Sequence, residues 1–159
     1  PVLVLLFYGT CEHVCPALVH DLEEIDGALD AAAREDVRYL LITFDPAVDT
    51  PQRLRGYALE HGLASERWFL PHGTPRQIRD IALVLGVRYR AMAGGAFSHT
   101  SRITLLDRDG VVVTQIDGTD APAEPIIAAL EKLFEEVPRT QPATQPAPSK
   151  DQPAFDVDG

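Results

Sequence analysis

Gly9-Thr10-Cys11-Glu12-His13-Val14-Cys15-Pro16 contains both cysteines of the 159-residue chain, four positions apart. Ahead of it runs an apolar stretch, Val2-Leu3-Val4-Leu5-Leu6-Phe7, and behind it an amphipathic segment begins at Pro16. A short apolar run bounded by glycine reads as a buried strand. Proline at a first helical position, with carboxylates soon after, reads as a helix start. The two thiols are therefore expected at the seam between a strand's C-terminal end and a helix's N-terminus. There the helix dipole and unpaired backbone N–H groups favour thiolate over thiol. Thiolate is the form that binds soft metals and attacks disulfides.

The rest of the chain supplies the frame. Residues 2–7 are apolar on both faces and are expected to form a central strand. Over 16–34, Leu18, Leu22, Ile25 and Leu29 recur at three- and four-residue spacing, predicting one long helix. Residues 37–44 are rich in β-branched and aromatic side chains and predict a second strand. In the loop Asp45-Pro46-Ala47-Val48-Asp49-Thr50-Pro51, Asp49 or Thr50 is expected to cap a helix that ends at Gly62. Trp68-Phe69-Leu70 is a short strand candidate. Thr74-Pro75 opens a helix with Ile78, Ile81, Ala82 and Leu85 inward and Gly86 closing it. Val87 to Arg90 reads as extended and 91–96 as a flexible loop. Phe97 to Thr100 leads into a strand at 101–106, which turns at Asp107-Arg108-Asp109-Gly110 and returns over 111–116. A last amphipathic helix spans 122–137, with Ile126, Ile127, Leu130, Leu133 and Phe134 along one side. Residues 1–137 make one domain, and the proline-rich 138–159 are expected to be a disordered tail.

This order is βαβαβαββα, which implies parallel crossovers and a terminal antiparallel hairpin. An α/β mixed sheet with helices on both faces, carrying two cysteines after its first strand, describes a thioredoxin-like fold. The net charge of −10 excludes a nucleic-acid binder, whose phosphates demand a cationic face. No apolar run approaches the roughly 20 residues of a membrane helix. The opening Pro1-Val2-Leu3, without an initiator methionine, suggests a processed or trimmed chain that has lost a signal or anchor.

Two thiols one helical turn apart could form a reversible disulfide, supply two ligands to a soft metal, or simply be packed away. Of the five histidines, His20, His61 and His72 read as solvated or structural, and His13 as pointing to solvent. His99 differs, because the loop entering the antiparallel strand of a thioredoxin-like sheet lies beside the cysteine turn. Thioredoxins place a cis-proline there, whereas this chain has no proline between Pro75 and Pro122. A histidine in that place makes a Cys₂His set.

The chain resembles the SCO/SenC family, thioredoxin-like copper chaperones of cytochrome c oxidase assembly. Four segments carry the resemblance in order: Val2-Leu3-Val4-Leu5-Leu6 with Cys11-Glu12-His13-Val14-Cys15-Pro16; Asp45-Pro46-Ala47-Val48-Asp49-Thr50-Pro51; Gly73-Thr74-Pro75; and Phe97-Ser98-His99-Thr100 with its hairpin. The resemblance implies that Cys11, Cys15 and His99 bind copper, as Cu(I) or Cu(II), and that Asp45, Asp49 and Pro51 shape the neighbouring loop. It implies a monomeric metallochaperone that hands copper to an oxidase copper-binding subunit on the extracytoplasmic face of the bacterial inner membrane, anchored through a segment ahead of Pro1. A thiol–disulfide oxidoreductase, with Cys11 attacking and Cys15 resolving, remains the alternative. A redox- or copper-responsive signalling protein is a third class. The sequence departs from the family at three points. Glu12 stands where proline is usual and is expected to raise the thiol pKa. Ser98 stands where aspartate is usual and is a weaker orienter of the imidazole. The family's N-terminal hairpin is missing from the chain.

Overall fold

A computed structural model describes residues 1–92 and 95–136. Part of the expected 91–96 loop and the expected proline-rich tail lie outside the described residues. Five strands form one mixed sheet in the order β3-β2-β1-β6-β7. These are β1 (Val2–Phe7), β2 (Arg38–Thr43), β3 (Trp68–Phe69), β6 (Arg102–Leu106) and β7 (Val112–Asp117). Strands β1, β2 and β3 run parallel, and β6 joins β1 antiparallel before turning into β7. The centre of the sheet is the all-apolar β1, whose Leu3, Leu5 and Phe7 are fully buried. A strand covered on both faces must carry no polar side chain, which is why this one reads as a continuous apolar run. At the free edge, Val112 and Val113 of β7 are exposed, as is Val111 ahead of them.

The expected helix over 16–34 is two helices. The first, α1 (Val14–Ala28), starts two residues earlier, and α2 (Ala31–Asp36) follows a break at Leu29 and Asp30. Both break residues have extended backbone, which lets Leu29 fold into the core while the Asp30 carboxylate accepts the Ala33 N–H at 2.8 Å and starts α2. Periodicity runs through such a break unnoticed, because Asp30 caps one helix while occupying a polar position of the other. Pro16 consequently sits in the first turn rather than at its first residue. The position is tolerated because the N–H it lacks would have had no helical partner.

Helix α3 (Pro51–Glu60) is capped by Thr50, and α4 (Pro75–Val84) by Thr74 with Gln77 in a reciprocal capping box. On α4, Ile78, Ala82 and the following Leu85 are buried as expected, but Ile81 is exposed. It faces an apolar groove of about 380 Å³ between α4 and Val4, Leu40, Ile42, Leu106 and Val112 of the sheet. The helix covers that sheet face incompletely. Helix α5 (Glu124–Glu136) buries Ile126, Leu130 and Phe134 and packs against β7 and α1. No described helix is long and apolar enough to cross a membrane.

Before β6 the chain forms an antiparallel ribbon of β4 (Tyr89–Ala91) and β5 (Phe97–His99), pairing Tyr89 with His99 and Arg90 with Ser98. Alternation along the ribbon turns Tyr89, Phe97 and His99 onto the body and leaves Arg90 and Ser98 exposed.

Candidate metal centre

The cysteine turn is fastened before it reaches the first thiol. Gly9 donates its N–H to the Asp49 carboxylate at 2.8 Å, and the Thr43 hydroxyl donates to the same oxygen. Asp49 is almost wholly buried, so it ties the end of β1 to the loop after β2 from inside the protein. A side chain on Gly9 would place its Cβ 2.7 Å from the Asp49 Oδ1, so glycine is needed there to let the carboxylate approach. Thr50 alone takes the capping role expected of the Asp49–Thr50 pair. Asp49 instead shapes the loop, in line with what the family resemblance implies for it.

Tyr8 accepts the Cys11 N–H through its carbonyl at 3.2 Å, which turns the chain toward α1. His13, at the cap position, offers no side-chain bond to the helix start. The Cys11 sulfur takes that place and accepts the Cys15 N–H at 3.3 Å. Burial works against ionising Cys11, but hydrogen bonds from the Cys15 and His13 amides, the Cys15 thiol and the Tyr8 hydroxyl prevail and hold this thiol below its ordinary value. The expected rise from Glu12 is therefore not what the site produces. Glu12 is exposed, and the helix-start donors govern Cys11. Cys15 is fully buried, and burial pushes its thiol far up, reinforced by the neighbouring Cys11. Both cysteines are free thiols.

His99 stands on the other side of Tyr8. The Tyr8 ring meets the His99 ring edge-on at 6.0 Å between centroids, and Phe44 tilts against His99 at 5.1 Å. Phe44 also stacks on Tyr89, and Tyr8, Phe44 and Phe97 pack mutually at 5.0–5.2 Å. His99 Nδ1 lies 3.3 Å from the Thr100 carbonyl oxygen. A carbonyl only accepts, so Nδ1 is the donor in this contact. The orienting role expected of the residue before the histidine thus falls to the backbone after it. The structure brings Cys11 and Cys15 together. Among the described residues, however, no three His, Cys, Asp or Glu side chains converge into a metal-holding cluster, so His99 is beside the dithiol without closing on it. The donor chemistry of the three residues, two sulfurs and an imidazole, suits a soft metal such as copper.

The other histidines are elsewhere. His13 is exposed, and His20 lies 3.8 Å from both Glu23 and Glu24 on the solvent face of α1. His61 packs on Tyr57, and His72 Nε2 is 3.0 Å from the Pro46 carbonyl oxygen. Tyr8 is the residue that reading the sequence overlooked. As one more apolar-looking position at the end of a strand it carries no motif, yet it touches both halves of the site.

A mixed sheet with two free cysteines where its first strand meets a helix defines a thioredoxin-like thiol protein. The SCO1/SenC family model matches residues 1–135, and the chain belongs to that family. A protein of Stutzerimonas stutzeri, provisionally named as copper-binding, is 29% identical over 117 residues, 67% of this chain and 53% of its own length. The chain thus spans about half of that relative. Among solved structures, copper-bound ScoI of Bradyrhizobium japonicum superposes with a TM-score of 0.68 at 24% identity, covering 83% of each chain. BsSco, described by its disulfide switch and as a member of the Sco family of cytochrome c oxidase assembly proteins, superposes with a TM-score of 0.70 at 23% identity, covering 84% of this chain and 80% of its own.

Proposed function

We propose that this chain is a copper-binding protein of the Sco type, which holds Cu(I) or Cu(II) through Cys11, Cys15 and His99 and passes it to a copper-binding subunit of a respiratory oxidase. The observation that carries the reading is the Cys11 sulfur at a helix start, held toward thiolate beside Cys15, with an oriented imidazole across one aromatic ring. Soft thiolates suit Cu(I), and adding imidazole also accommodates Cu(II). The copper-bound ScoI relative and the copper-binding name of the bacterial relative support the cargo. Oxidising the pair to a disulfide removes two ligands, so the site works where the redox state of the pair can change, on the extracytoplasmic side of a membrane.

Copper titration of the reduced protein tests this against Cys11→Ala, Cys15→Ala and His99→Ala. Each cysteine variant is expected to lose tight binding. The His99 variant is expected to weaken it by about 10–100-fold, and an unchanged affinity there rejects the three-ligand site.

A second reading rests on the inequality of the two thiols. The more ionised and more accessible Cys11 suits attack, and buried Cys15 suits resolution. Cys11 thiolate would attack a partner disulfide, releasing one partner thiolate and forming a mixed disulfide. Cys15, giving up its proton, would attack the Cys11 sulfur and release the second partner thiolate. The partner is then reduced and the Cys11–Cys15 pair oxidised. A fast partner-reduction rate without metal, indifferent to His99→Ala, would favour this reading.

A further inference from the structure

The charge of the chain is unevenly placed. Against a net charge of −10, the stretch between Asp80 and Asp107 contains no carboxylate and three arginines, Arg88, Arg90 and Arg102. Arg102 is spent within the fold, clamped on Asp117 at 2.6 and 2.8 Å. Arg88 and Arg90 are not. Both are exposed on either side of Tyr89, and among the described residues neither makes an ion pair. The thiol side of the site is of opposite sign, with exposed Glu12 in the cysteine turn and half-buried Asp45 beyond it.

The position of this zone gives it meaning. Thr100 donates its N–H to the Arg88 carbonyl at 2.8 Å, Tyr89 pairs with His99, and Arg90 pairs with Ser98. Arg90 therefore stands on the strand paired with the one that bears His99, and Arg88 just ahead of it is hydrogen-bonded to the residue after His99. Whatever grips them grips the histidine half of the site.

We infer that the outer face of the β4–β5 ribbon, with Arg88 and Arg90, is a docking surface for the acidic face of a partner protein. This rests on the copper-transfer reading, in which a recipient must approach His99 and Cys11 together. A protein fits better than a membrane or nucleic acid. A short acidic segment can cover the ribbon alone, whereas an extended polyanion must also run along the carboxylates of the rest of the molecule. Opposite Glu12 the partner's surface should be neutral or basic, which fixes its orientation as well as its attraction.

The test uses the full chain and a short polyglutamate peptide, followed by backbone amide shifts and fluorescence anisotropy. Binding is expected at about 20 mM salt, centred on residues 88–91 and 97–100, and is expected to be lost by about 200 mM. Arg88→Glu with Arg90→Glu is expected to weaken it by at least about tenfold. Arg53→Glu with Arg55→Glu, the same charge change on exposed positions of α3, is expected to leave it nearly intact. Equal loss in both double variants, no binding at low salt, or binding to phosphatidylglycerol vesicles in preference to the peptide would each overturn the proposal. Copper titration of the ribbon variant is expected to match the parent chain. If the parent chain itself fails to bind copper through its three ligands, the copper reading falls while the peptide result still decides whether the ribbon recognises acidic surfaces.

Discussion

Gly9 and Asp49 fix the cysteine turn at the scale of single residues. Gly9→Ala is expected to cost about 1–3 kcal/mol, read by urea unfolding, because its Cβ would meet a buried carboxylate that cannot retreat. Asp49→Ala in the same chain removes the obstacle, so the double variant should cost less than the sum of the singles. The thiols yield to a second measurement. In Cys15→Ala, alkylation of Cys11 by iodoacetamide is expected to reach half its maximal rate below pH 9.0, because the helix-start donors outweigh burial and only the thiolate reacts. In Cys11→Ala, Cys15 should react slowly until the protein unfolds, since burial keeps it protonated and covered. Cys11, Cys15 and His99 can be picked out of the sequence because each is chemically rare in its place. Asp49 resists such reading: an aspartate before Thr-Pro looks the same whether it caps a helix or reaches across to another loop. Tyr8 resists it too, since its contacts to Phe97 and His99 come from β5, some ninety residues on.

Among elements, the instructive join is between α1 and the β2–β3 side of the sheet. Asp26, near the end of α1, accepts from the Tyr39 hydroxyl at 2.8 Å and pairs with Arg67 just ahead of β3. Burial opposes its ionisation, but Arg67 and Tyr39 prevail and hold the carboxyl below 3.8. A depressed folded-state value stabilises the protein above the ordinary one, and the contribution is lost as the pH falls through the lower value. Asp26→Asn is therefore expected to cost about 1–3 kcal/mol at neutral pH, with the gap to the parent chain closing below pH 3.8 in urea unfolding. Hydrophobic spacing located every strand of the sheet and the faces of α1 and α5. It missed the break at Leu29–Asp30, because a buried leucine and a capping aspartate both fit an unbroken helix. It also placed Ile81 inward, since periodicity reveals that a helix has an apolar face but not how far its neighbour extends over it.

At the scale of the molecule, the thioredoxin-like fold follows from one fully apolar strand and the order of elements around it. The three proposed ligands stand out in the sequence, but how they are brought near one another does not. His99 comes against Tyr8 and Phe44 only because the β4–β5 ribbon folds back over them, a tertiary event with no local signature. One feature of the sheet bears on how the protein behaves in bulk. Strand β7 ends the sheet with exposed valines and no charge from Val111 to Ile116, an edge without the lysines or prolines that usually blunt one. What holds such edges of separate copies apart is the mutual repulsion of a net charge of −10, and that repulsion vanishes near the isoelectric point of about 4.8. Colloidal stability in this protein is thus a property of the solution as much as of the fold, and mild acid together with high salt is the condition under which it should be stored least.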